Sequence, residues 1–340
     1  MKTVVFVLCL SLLIGALAIP ALVSSAGASA TAAISNPAAS SVPQQGQTVA
    51  PPDDSPPFRF TSVSTEQGLS SSEVWSVLRD HRGFMWFGTL DGLDRYDGYR
   101  MKVFKYALTD PTSLSDDKVR TVYEDRAGTL WIGTWNGGLN RYERETETFT
   151  RFQHDPADSD SLSSDSVYAI LEDKAGMLWL GTRAGGLNRF DPATGVFSHY
   201  RNDPAQATSL GNDNVFALWE DGDGALWVGT DGGLDRFDPA TETFTHYRNN
   251  PDDPASLSND TIRALFVDSN NTLWVGTWGG GLDRFDRATE TFTHYRNDPN
   301  DPQSLSQDGV FSIHQDATGA LWVGTFGGGL NRLDPQTGTI

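Results

Sequence analysis

Glu172-Asp173-Lys174-Ala175-Gly176-Met177-Leu178-Trp179-Leu180-Gly181-Thr182 sets the end of one strand, a tight turn and a second strand side by side. Its core, Trp-x-Gly-Thr, occurs six times, beginning at Trp86, Trp131, Trp179, Trp227, Trp274 and Trp322, at spacings of 45 to 48 residues. A Gly-Leu-[Asp/Asn]-Arg-[Tyr/Phe/Leu] segment follows each copy, starting at Gly92, Gly138, Gly186, Gly233, Gly281 and Gly329. An apolar, β-branched run precedes each copy, as at Val167 to Ile170.

The third copy reads as four strands. Ser166 to Glu172 is apolar and β-branched, and Asp173 to Gly176 is a turn in which glycine supplies positive φ. Leu178 to Thr182, Leu187 to Phe190 and Val196 to Arg201 are further strands, separated by Ala184-Gly185-Gly186 and by Asp191-Pro192-Ala193-Thr194-Gly195. Four short strands per repeat at this period predict an all-β propeller of about six four-stranded blades. Gly and Pro punctuate every repeat, which excludes a helical solenoid.

The sixth copy supplies three strands, ending near Leu333. Phe58-Arg59-Phe60-Thr61 resembles the fourth strands Phe149-Thr150-Arg151-Phe152 and Phe244-Thr245-His246-Tyr247. The expectation is that Phe58 to Ser62 completes blade six and closes the ring, leaving no exposed edge there. The alternative is a truncated part of a larger array.

Residues 1–30 read as a signal peptide: Lys2, an apolar run from Val4 to Ile19, then Ala28-Ser29-Ala30. Residues 31–57 read as a disordered linker rich in Ala, Ser, Pro and Gln, and residues 58–340 as the propeller. The expected location is periplasmic or extracellular, with no membrane insertion after cleavage. The alternative is an N-terminal anchor over Val4 to Ser24. Cys9, in the leader, is the single cysteine, so the mature chain has no thiol for a disulfide or a metal. A net charge of −19 makes nucleic acid and anionic membranes poor partners.

Repetition separates scaffold from site. A side chain present in every blade answers a packing need that every blade has. By that test the repeated Trp packs between sheets, where truncation typically costs about 3–5 kcal/mol. The hairpin Asp (Asp80, Asp125, Asp173, Asp221, Asp268, Asp316) caps its turn. The repeated Arg (Arg95, Arg141, Arg189, Arg236, Arg284, Arg332) pairs with a carboxylate or carbonyl of its blade. His199, His246 and His294 occupy equivalent outer positions too far apart to share a metal. Asp221-Gly222-Asp223-Gly224 aligns with its neighbours' ordinary turns, not with a calcium loop. No nucleophile, phosphate-loop or metalloprotease motif stands out, and no cofactor is expected.

Positions that vary between blades are the candidates. On the first strands these are Trp75, Arg120, Tyr168, Phe216, Arg263 and Phe311. After each Gly-Thr they are Leu90, Trp135, Arg183, Asp231, Trp278 and Phe326. Both sets are expected around one mouth of the central channel. The proposed ligand contacts are Trp75, Arg120, Tyr168, Phe216, Arg263, Phe311, Trp135, Arg183, Trp278 and Phe326, with no catalytic or metal residue. Such a rim suits an oligosaccharide or other small polar ligand: rings stack on flat faces and guanidinium forks hold anions. The alternative is that these large side chains simply plug the channel.

Glu-Asp-x-x-Gly-x-Leu-Trp-x-Gly-Thr, as at Glu172 to Thr182, and Trp274-Val275-Gly276-Thr277-Trp278-Gly279-Gly280-Gly281-Leu282-Asp283-Arg284 resemble the two-component regulator propeller repeat. The resemblance covers residues 58 to 338 and implies an extracytoplasmic sensor region of a bacterial hybrid histidine kinase, with ligand perception coupled to a kinase. No kinase core or receiver is found in these residues, so kinase activity would lie in a region not present here, and the expected partners are a histidine kinase region or a homodimer partner. Two other readings stay open: a propeller lyase or hydrolase-type enzyme, and a protein-interaction scaffold.

Overall fold

The structure is a computed structural model, and it describes residues 60–340. The expected leader, the linker and Phe58-Arg59 lie outside the described residues.

Six antiparallel sheets follow one another along the chain, five of four strands and the last of three. Blade three shows the pattern: Val167–Glu172, Leu178–Thr182, Leu187–Phe190 and Phe197–Tyr200, each hydrogen-bonded to the next. The expected strand bounds hold to within a residue at each end. First strands of consecutive blades lie against each other, from Val74–Arg79 and Val119–Glu124 through to Val310–Gln315, which places them on the inside of the array.

The blades are joined by a repeated lock. In blades one to five the glycine of Trp-x-Gly-Thr leaves room for the opening residue of the next blade's first strand. A Cβ there would come within 2.8 Å of Val119 at Gly88, and within 2.6 Å of Ile262 at Gly229. Beside it the tryptophan meets an aromatic ring of the next blade: Trp86 with Tyr142 at 5.2 Å, Trp179 with Phe237 at 5.3 Å, Trp227 with Phe285 at 5.3 Å. The expected packing of Trp between neighbouring sheets is thus present, and these rings are almost wholly buried. Arg144 and Arg287 add ion pairs at 3.0 Å across two of the seams, to Asp80 and Asp221 of the preceding blade.

The lock is not repeated between blades six and one. Gly324 meets only Ser312 of its own sheet among the described residues, and Val77 is 37% exposed where its counterpart Val122 is 7% exposed. The described part of the expected closing strand, Phe60 to Ser62, forms no strand. The chain that follows it is held by blade one instead: Val63 and Leu69 pack on Val74 and Phe87, and Ser70 bonds Asp94. At the other end, hydrogen bonds within Asp334 to Thr339 reproduce the hairpin of Asp191 to Val196, so Ile340 occupies the place of Phe197 at the start of a fourth strand.

The repeated polar residues behave mostly as expected. Each hairpin Asp caps its turn, and its second oxygen also accepts the indole N–H of the blade's own Trp, at 2.8 to 3.2 Å. The turn of Asp221 is such a cap, with both oxygens occupied by Asp223, Ala225, Trp227 and Arg287. The repeated Arg does not follow one rule. Arg95 and Arg141 pair with Glu147 and Glu143, whereas Arg189 and Arg236 lie over the Trp179 and Trp227 rings.

Candidate functional site

Every first strand carries one β-bulge at the same place. In blade three Val167 pairs with Thr182 and Ala169 with Gly181, so Tyr168 has no cross-strand partner. The same skip falls on Trp75, Arg120, Phe216, Arg263 and Phe311. A bulged residue is re-aimed out of the sheet's alternation. The six variable first-strand residues are therefore the six bulged ones.

A second repeated bond brings the other variable set alongside. The residue after each Gly-Thr donates its backbone N–H to a carbonyl just ahead of the first strand: Trp135 to Lys118, Arg183 to Ser166, Asp231 to Asn214, Trp278 to Thr261, Phe326 to Gly309. Both sets thus stand at one end of the inner strands, as the sequence suggests.

Their side chains form a nearly continuous belt. Trp75 and Trp135 lie 5.2 Å apart, Trp135 and Tyr168 6.3 Å, Tyr168 and Phe216 5.1 Å. At the far end Trp278 meets Phe311 at 5.0 Å and Phe326 at 5.3 Å. The arginines sit on the rings. Arg120 is 4.5 Å from Trp75, 5.4 Å from Trp135 and 4.3 Å from Tyr168. Arg263 is 3.8 Å from Phe216 and 5.6 Å from Trp278. Such contacts stabilise a cation by about 0.5–2 kcal/mol, more where water is excluded.

The belt is neither core nor open surface. Most members are half-buried, while Arg183 and Trp278 are exposed, Trp278 by 45%. On it Trp75 Nε1 and Arg263 Nη1 are buried without a hydrogen-bond partner among the described residues. A buried donor left unpaired is costly, and an incoming acceptor relieves it. Burial pushes Arg263 below the usual arginine range, against the pull of Asp231, which pairs with it at 3.3 Å.

All ten proposed contact residues lie on this rim. Residues that were not singled out also take part: Asp231 pairs with Arg263, Asn214 bonds Asp231, and Lys118 lies 5.7 Å from the Trp135 ring. Asp231 was visible as a variable position. Asn214 and Lys118 lie ahead of the first strands, in loops where every blade is polar, and nothing in the sequence marks them. The outer histidines are spent on structure: His199, His246 and His294 each bond a carbonyl of the preceding loop. Two clefts of about 410 and 450 Å³ lie beside His294 and His246 at equivalent places in successive blades, and by the repeat test they belong to the scaffold.

The two component regulator propeller model matches residues 68–91, 113–136, 161–184, 209–232, 256–279 and 304–327. The chain is 40% identical over 58 residues to Histidine kinase P4 of Formosa agariphila, spanning 17% of this chain and 4% of that protein. It is similar in structure to a protein of B. thetaiotaomicron described as the extracellular domain of a hybrid two component system, BT3049. The TM-score is 0.64 at 28% identity, over 80% of this chain and 41% of that one. Virginiamycin B lyase of Staphylococcus aureus shares the fold at 17% identity and a TM-score of 0.57, over 78% of this chain and 83% of that one. Each matched repeat begins in the loop ahead of a first strand and ends just past Gly-Thr, so it spans the bulge and the residue set beside it. Six such repeats on six successive blades make the chain a member of the two-component regulator propeller family.

Proposed function

We propose that the chain is the ligand-binding sensor propeller of a two-component signalling system, exported by its N-terminal leader. The ligand is an oligosaccharide or another small polar molecule, bound at the bulged rim. The observation that carries this reading is the coincidence of bulge and variation. The fold spends an irregularity in every blade to re-aim one residue, and that residue is the one the blades do not share. A scaffold role alone would repeat it.

The rim's chemistry fits such a ligand. Rings present flat apolar faces, and unpaired N–H groups supply donors for hydroxyl or carboxylate oxygens. Similarity to the extracellular domain of a hybrid two component system supports a coupled kinase, carried in a further region or a partner. Likeness to virginiamycin B lyase extends to the fold alone, and the outer histidines here are occupied by loop carbonyls.

The test is a glycan array followed by calorimetry, with Trp278→Ala and Phe311→Ala as rim variants. Binding of one glycan class that both variants weaken about tenfold or more is the expected result. Binding that ignores both substitutions, or capture of a protein partner independent of them, would replace the sensor reading with the scaffold one.

A further inference from the structure

Blades three to five tie their parts of the rim together through two side chains, Asn214 and Asp231. Asn214 accepts the backbone N–H of Ala184 at 2.9 Å and donates its amide to Asp231 Oδ2 at 3.0 Å. The other oxygen of Asp231 pairs with Arg263 Nη2 at 3.3 Å. Both carboxylate oxygens are thereby committed. Arg183, the residue before Ala184, is exposed and forms no ion pair among the described residues. The cluster therefore holds two guanidinium groups against one carboxylate, in a chain whose net charge is −19. The two cations are close enough to oppose each other: after burial, Arg183 is among the groups that disfavour the charged form of Arg263.

Arg263 is also incompletely satisfied. One face lies on Phe216 at 3.8 Å, and its Nη1 is buried with no acceptor among the described residues. Arg120 provides the contrast. Its guanidinium has the ring centroids of Trp75, Trp135 and Tyr168 within 5.4 Å. The rim thus has two unlike arms: one where rings enclose the cation, and one where two cations converge with a donor to spare.

We infer that Arg183 and Arg263 form a subsite for a single carboxylate group of the ligand. This deepens the rim reading and rests on it. The local sum of two positive charges and one negative charge matches one ligand charge. A dianion would bring its second charge against Asp231, at a place where water does not fully screen it. A carboxylate is also planar and takes parallel N–H donors from a guanidinium fork, the geometry that Nη1 of Arg263 leaves open.

The experiment is calorimetric titration of the full chain with glucuronate, glucose and inorganic sulfate, for wild type, Arg183→Glu and Asp231→Asn. Among the described residues Arg183 forms no hydrogen bond or ion pair through its side chain, so Arg183→Glu should not lower the Tm, which keeps the test independent of folding. The expected result is glucuronate bound about tenfold or more tighter than glucose, a preference abolished by Arg183→Glu. Sulfate should bind weakly to wild type and gain in Asp231→Asn. Equal binding of glucose and glucuronate, with both sensitive to Trp278→Ala, overturns the carboxylate subsite and leaves the rim reading standing. Glucuronate binding that ignores Arg183→Glu, or sulfate preferred in wild type, also overturns the subsite. Binding of neither sugar overturns both readings.

Discussion

Asp268 accepts the indole N–H of Trp274 at 2.9 Å while its other oxygen caps the turn through Asn270 and Thr272. One carboxylate therefore fixes both the hairpin and the rotamer of the largest buried side chain in the blade. Asp268→Ala strands a buried indole donor and uncaps the turn. The expected loss is about 1–3 kcal/mol for the unpaired donor, with a further contribution from the cap. Urea unfolding followed by tryptophan fluorescence measures it. A loss below about 0.5 kcal/mol would mean that the bond adds nothing to packing.

This bond shows how far the sequence could be read. The recurrence of Asp six residues ahead of Trp identified both as scaffold, because a contact needed in every blade leaves a periodic trace. That the two residues bond each other was hidden, since a turn cap alone explains the Asp. The rim was legible for the converse reason: Trp75, Arg120 and Arg263 break the period. The bulge that explains the break was not legible, because register is a property of two strands and each strand looks regular by itself. Nor was the seam between blades six and one. Phe58-Arg59-Phe60-Thr61 carries a fourth-strand pattern, but Val63, Leu69 and Ser70 fasten the following residues to blade one.

The unmated seam makes a paired prediction. At Gly276 a methyl group would lie 2.7 Å from Val310 Cγ1 and 3.1 Å from its carbonyl oxygen, across the boundary between blades five and six. Gly276→Ala must push two sheets apart, and overpacking of this kind costs about 1–3 kcal/mol. At Gly324 the same methyl group would clash only with the Ser312 hydroxyl of its own sheet, the movable end of a side chain, among the described residues. Gly324→Ala should cost clearly less, and Gly324→Ala combined with Ser312→Ala less still. Thermal unfolding of the variants decides it. Equal losses at both glycines would show that the Gly324 face is packed as tightly as the others.

The rim should contribute little to stability. Trp278 is 45% exposed and lies outside the buried clusters, so Trp278→Ala should shift unfolding by less than about 1.5 kcal/mol. The matched change at a scaffold tryptophan, Trp274→Ala, removes a fully buried ring and should cost about 3–5 kcal/mol. If the two substitutions cost the same in urea unfolding, the bulged belt is a plug holding the inner strands together and not a binding surface.

His246 and His294 give the fold a pH dependence of known sign. Nδ1 of His246 lies 2.6 Å from the buried Asp235 and Nε2 3.0 Å from the Ala207 carbonyl. His294 repeats this with Asp283 at 2.7 Å and the Pro254 carbonyl at 2.9 Å. Both partners of each ring are acceptors, so the fully bonded form is the imidazolium. The hydrogen bond to the carboxylate is the main cause that raises each pKa above 6.5, with burial and Arg248 or Arg296 opposing it. A raised folded pKa means that the native state binds more protons than the unfolded chain. Its stability contribution is complete below pH 6.5 and is lost as pH rises through the folded pKa of each histidine. Urea midpoints should therefore fall as the solution is taken from mildly acidic to alkaline. The double variant His246→Gln, His294→Gln should flatten that slope. A slope unchanged in the double variant would assign the proton uptake to other groups and leave the two histidines neutral in the fold.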